Sequence, residues 1–65
     1  MQQELIKRVK YMITFYGTTQ QFIATNVGVS RNTISLFLKG ERILAPIVEN
    51  KLNNFLNERN IKIDN

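Results

Sequence analysis

Residues 20–39, QQFIATNVGVSRNTISLFLK, constrain this chain more than any other stretch. A short helical pattern runs from Gln20 to about Asn26, a glycine follows at Gly28, and a second helix can start at Ser30. Ala24 falls where a side chain larger than methyl would hold two crossing helices apart. Gly28 falls where the first of them must stop, and glycine adopts the left-handed conformation of such a stop without a Cβ penalty. Ser30 is a good N-cap for the next helix. Ile23, Val27, Val29, Ile34 and Phe37 are apolar where a crossed pair needs an inner face. Two short helices joined in this way read as a helix-turn-helix. The second helix then turns Arg31, Asn32, Thr33, Ser35 and Leu36 outward. These are hydrogen-bonding and apolar groups of the kind that meet base edges in a major groove.

The flanks extend the helical pattern. Leu5, Val9, Met12, Ile13 and Tyr16 make an apolar stripe over residues 2–16, with Lys7, Arg8 and Lys10 mainly off it. Gly17 stops this helix, and Thr18 or Thr19 caps the next, Thr18 having capping-box spacing to Gln21. The third helix is expected over residues 31–39 with Gly40 as its stop. After a loop over residues 40–45, Pro46 suits the first turn of a fourth helix, where its missing N–H costs nothing. Val48, Leu52, Phe55 and Leu56 form the inner face of that helix, which fades near Arg59 or Asn60. Residues 60–65 lack helical periodicity, and Ile61, Lys62 and Ile63 alternate like a very short strand. The expectation is an all-α, compact domain of four to five helices spanning residues 1–65. A core this small must bury most of the 43% of residues that are apolar.

Charge is placed unevenly. The net charge is +4, yet residues 7–42 carry Lys7, Arg8, Lys10, Arg31, Lys39 and Arg42 against Glu41 alone. Residues 43–65 balance Lys51, Arg59 and Lys62 with Glu49, Glu58 and Asp64. A basic excess around a helix-turn-helix is the electrostatic footprint of a phosphate-binding domain. Catalysis is not expected. The chain has no His and no Cys, its carboxylates are scattered, and its glycines form no phosphate-cradling loop. No cofactor, metal or small-molecule ligand is expected either. No apolar run approaches a membrane-spanning length and no signal-peptide pattern opens the chain, so no membrane association is expected. The lack of cysteine fits a reducing cytoplasm.

Gln20, Ala24, Gly28, Val29, Ser30, Ile34, Ser35 and Gly40 together resemble the motif of the lambdoid phage repressor and Cro family. Arg8, Val9, Lys10 and Gly17 are similar to that family's first helix and its exit, so the resemblance covers about residues 5–56. It implies a lambda-repressor-like fold and a transcriptional regulator that binds duplex DNA sequence-specifically, such as a small phage or mobile-element repressor of Cro type. The implied target is an inverted repeat, bound by a weak homodimer or by a dimer formed on DNA. Gln20 would bind a phosphate from a helix N-terminus. Arg31 and Asn32 would open the recognition helix and meet bases or phosphates, and Ser35 would do so one turn later. Ser30 and Thr33 stand at the same helix start, where Thr33 serves either DNA or the Ser30 cap. Lys39 and Arg42 are the expected phosphate contacts, with Lys10 or Arg8 behind them.

The sequence also departs from that family. Leu36 stands where the family often has a polar base-reading residue, and three places for it stay open: a thymine methyl, the core, or a partner protein. Ile13 and Leu38 put an apolar pair where some members pair charges. After Gly40, Glu41 and the uncharged Ile43, Leu44 and Ala45 make a poor phosphate-binding loop, which predicts weak nonspecific binding and a shallow salt dependence. The alternative function is a protein-interaction module that keeps the fold and uses Leu36 and its neighbours. Phe55, Leu56, Ile61 and Ile63 are the expected dimer surface, with fold-back of the tail onto the fourth helix as the alternative.

Overall fold

Each turn of the chain is set by a residue suited to making it. Gly17, Gly28 and Gly40 all take positive φ, and the helices end against them. In the computed structural model, which describes residues 2–59, the order is α1 (Gln3–Tyr16), α2 (Gln20–Val27), α3 (Arg31–Leu38) and α4 (Pro46–Glu58). The domain is all-α, with four helices and no strand among the described residues. The expected alternation at residues 61–63 lies outside the described residues.

The caps explain the boundaries. Thr19, not Thr18, caps α2, its hydroxyl accepting the Phe22 N–H at 3.1 Å. The capping-box spacing of Thr18 and Gln21 is therefore not used at this helix start. At the other end the N–H groups of Gly28 and Val29 both donate to the Ala24 carbonyl, at 2.9 and 3.0 Å. Past α3, the Gly40 N–H donates to Phe37 and the Glu41 N–H to Leu36, the paired bonds of a Schellman stop. Pro46 opens α4 as expected.

One core joins all four helices. Val9, Ile23, Ala24, Ile34, Phe37, Leu52 and Leu56 have no exposed surface, and Leu5, Met12, Val27, Leu38, Leu44 and Phe55 are nearly as deep. Ile13, Val29 and Val48 pack on it half-buried. α2 packs on α3 and α4, and α1 packs on the same two helices. Ala24, fully enclosed, lies on the helix that makes both α2 contacts, as its small size required.

Three expectations are corrected by this packing, and one core residue appears that the sequence had not marked. Tyr16 shares the phase of the apolar stripe but is 61% exposed, because the last turn of α1 extends beyond the buried part of that stripe, which ends at Met12. Leu44, in the loop before α4, belongs to the core. Gln2 holds it there, its amide donating to the Leu44 carbonyl at 3.1 Å and accepting the Leu44 N–H at 2.8 Å. Phe55 and Leu56 are buried and so cannot form a dimer surface; Phe55 is covered by the Arg59 guanidinium, 3.9 Å from its ring centre, and by Phe22. Arg8 is not an exposed phosphate contact. It is 9% exposed, and its two guanidinium nitrogens donate to Asn53 at 2.9 Å and Asn57 at 2.8 Å, one turn apart on α4. Glu4 and Glu49 line the same cleft and supply negative charge near it.

Two outcomes follow for stability, both readable by urea unfolding. Phe37→Ala should cost about 3–5 kcal/mol, as for other fully buried aromatics, whereas Leu36→Ala, half-buried, should cost about 1 kcal/mol or less. A larger loss at Leu36 than at Phe37 would place α3 one residue out of phase. Arg8→Ala removes the charge-assisted hydrogen bonds to Asn53 and Asn57, among the contacts Arg8 makes, and should cost about 2–3 kcal/mol or more. A surface arginine would give almost nothing.

Candidate nucleic-acid interface

The buried edge of α3 fixes what the helix shows. Ile34, Phe37 and Leu38 face the core, so the opposite side carries Asn32, Leu36 and Lys39 at successive helical steps. Arg31, Asn32 and Lys39 are exposed, and Thr33, Ser35 and Leu36 are half-buried. Arg31 and Asn32 occupy the first turn, immediately after the Ser30 cap. The Ser30 hydroxyl accepts the Thr33 N–H at 3.2 Å and lies 3.0 Å from the Thr33 hydroxyl. Ser30 and Thr33 thus lock the start of the helix, and of the two roles open to Thr33 in the sequence the cap is the one the geometry displays.

Two clefts flank α3. One, of about 380 Å³, is lined by Gln20, Ser35 and Lys39 together with Lys10, Ile13, Thr14 and Leu38. Gln20 is the first residue of α2, so the positive end of that helix lies beside this cleft and lends it partial positive charge. The ammonium groups of Lys10 and Lys39 add full charges, and Ser35, Thr14 and Gln20 add neutral donors. Ile13 and Leu38 both line the cleft, the apolar pair expected there from the sequence. The other cleft, of about 310 Å³, brings Thr33 and Arg42 beside Val29, Leu44, Ala45 and Val48. Ala45 is the N-cap of α4, so a second helix start opens here with Arg42 as its cation.

The sequence-predicted residues are therefore gathered on one side. Gln20, Ser35 and Lys39 share the first cleft, Thr33 and Arg42 share the second, and Ser30, Arg31, Asn32 and Leu36 lie on the helix between them. Sequence reasoning ranked Lys10 low and missed Thr14. The two stand four apart on α1, on the flank marked by Ile13, and that spacing was the available signal. The arrangement presents hydrogen-bonding and apolar groups on a convex helix, with anion-attracting groups to either side. Chemically it can hold a polyanion across α3 and read what α3 touches.

Comparison with known proteins gives no match to a family model, to a curated protein or to a solved structure. What the α3 face does is read from its own chemistry.

The cap can be tested directly. Ser30→Ala should lower stability by about 1 kcal/mol through the lost N-cap, measured by thermal unfolding. Asn32→Ala, on the exposed face of the same turn, should change it by less than about 0.5 kcal/mol.

Proposed function

We propose that this chain is a sequence-specific duplex-DNA-binding regulator of transcription, of the phage or mobile-element repressor and Cro kind, acting in the cytoplasm. One observation carries the reading: α3 stands between two clefts that each lie beside a helix N-terminus, one with Lys10 and Lys39 and the other with Arg42. Duplex DNA offers two phosphate strands with a groove of base edges between them, and the three parts correspond. α3 enters the major groove. Gln20, Lys10 and Lys39 meet one strand, and Arg42 with the start of α4 meets the other. Arg31 suits the two acceptors of guanine and Asn32 the acceptor–donor pair of adenine. Leu36, on the outer side of α3, packs on a thymine methyl. The role is binding without catalysis.

One helix reads only a few base pairs, so the target is an inverted repeat bound by two copies whose half-sites lie about 34 Å apart. The cations Lys10, Lys39 and Arg42 give about three phosphate contacts per copy. The slope of log affinity against log salt is then near −3 per half-site, shallow for a DNA-binding protein.

A second reading has its own observation. Leu36 is a half-buried apolar group on the outer side of α3, and Glu41 follows α3 closely. A partner protein with an apolar pocket suits Leu36 as well as a thymine methyl does. Selection from random duplexes at two salt concentrations separates the two: a consensus with a salt-dependent affinity supports DNA, and a failure to enrich any sequence supports the protein partner.

On the selected site, Arg31→Ala should cost about 1–3 kcal/mol and flatten the preference at one base pair. Lys39→Ala should weaken all sequences alike and reduce the salt slope by about one. Equal losses for both variants on every sequence would make Arg31 a phosphate contact.

A further inference from the structure

The exposed aromatic residues of α1 are not used by the DNA reading. Tyr11, Phe15 and Tyr16 are 37%, 70% and 61% exposed. They touch one another: the Tyr11 and Phe15 ring centres are 4.6 Å apart, and those of Tyr11 and Tyr16 6.1 Å. Such mutual packing holds the rings in place before any partner arrives, which lowers the entropy lost when they are covered.

Their position follows from neighbouring contacts. Arg8 reaches across to α4, and Tyr11 and Phe15 follow it at three and seven residues, on the same flank of α1. The other flank, with Lys10, Ile13 and Thr14, lines the cleft beside α3. Tyr11 and Phe15 thus lie on a different flank of α1 from the one that lines the cleft beside α3.

We propose that this aromatic cluster is the contact surface between two copies of the chain on the inverted repeat; the proposal rests on the DNA reading above. A symmetric pair places the same patch against itself, and aromatic rings meet their own kind well in offset or edge-to-face packing. The area decides how strong the contact is. At about 200 Å² for each fully exposed aromatic residue, these exposures amount to roughly 340 Å² per copy. A stable complex needs about 800 Å² per partner. The patch is therefore too small for a firm dimer in solution. It is sufficient once DNA holds two copies side by side, because the effective concentration then reaches about the millimolar range.

The test uses the full 65-residue chain and its Phe15→Ser variant, with circular dichroism to verify that the variant folds. Phe15 is largely exposed, so folding should survive. Sedimentation without DNA should show wild-type association emerging only toward millimolar protein, and none for Phe15→Ser. On the selected duplex, Phe15→Ser should leave affinity for an isolated half-site unchanged and abolish a cooperativity of about two- to five-fold on the repeat, the gain expected when the effective concentration is near the dissociation constant. Unchanged cooperativity in the variant overturns the proposal. So does a wild type that stays monomeric at millimolar concentration while Phe15→Ser and deletion of residues 60–65 lower stability equally, since the rings would then be covered by the chain's own tail. If no duplex is selected, the DNA reading fails and sedimentation alone decides the contact: association lost in Phe15→Ser supports it, and association absent or unchanged overturns it.

Discussion

An eight-residue helix does not persist alone in water, because nucleation costs more than two turns of hydrogen bonding return. α3 exists because Ile34, Phe37 and Leu38 are buried in the core, with the helix packed on α1 and α2. Everything displayed on its other side inherits that constraint. The angle of Asn32, Leu36 and Lys39 to the rest of the molecule is set by three apolar side chains behind them. The helix is held at its ends as well, by the Ser30 cap and by the paired bonds after Lys39. A surface-reading helix of this length is thus a packed edge of the core rather than a free element.

Local chemistry made much of this legible from residue order. The stops at Gly17, Gly28 and Gly40, the Ser30 cap, the proline at the start of α4 and the inner residues of α2 and α3 need only neighbours within a few positions. What escaped depends on distant partners. Periodicity gives the phase of α1 but not where its cover ends, so Tyr16 looked buried and is not. A charge beside an apolar stripe reads as surface, yet Arg8 is drawn inward by two asparagines more than forty residues away. Leu44 sits in a loop with no periodicity to mark it as core. The alternation at residues 61–63 lies outside the described residues.

The candidate site divides in the same way. The residues on α3 were legible because helix geometry alone sets which of them point outward. The composition of the clefts was only partly legible, since Lys10 and Thr14 on α1 meet Gln20 and Lys39 only after the helices dock. Removing Arg8 from the surface also redistributes the basic excess. The remaining exposed cations of the first two-thirds of the chain are Lys7, Lys10, Arg31, Lys39 and Arg42, and four of these five lie on α3 or line the clefts beside it.

The pair of hydrogen bonds between Gln2 and Leu44 joins residues 42 positions apart through a side-chain amide that imitates a strand partner. Leu44 belongs to no helix, and its N–H donates to the Gln2 side chain, so solvent reaches that proton when the start of the chain lets go. Exchange at this single amide is a gauge of how tightly the N-terminal end is latched to the loop that carries Arg42. It also means that cargo fused ahead of residue 2 bears directly on the latch.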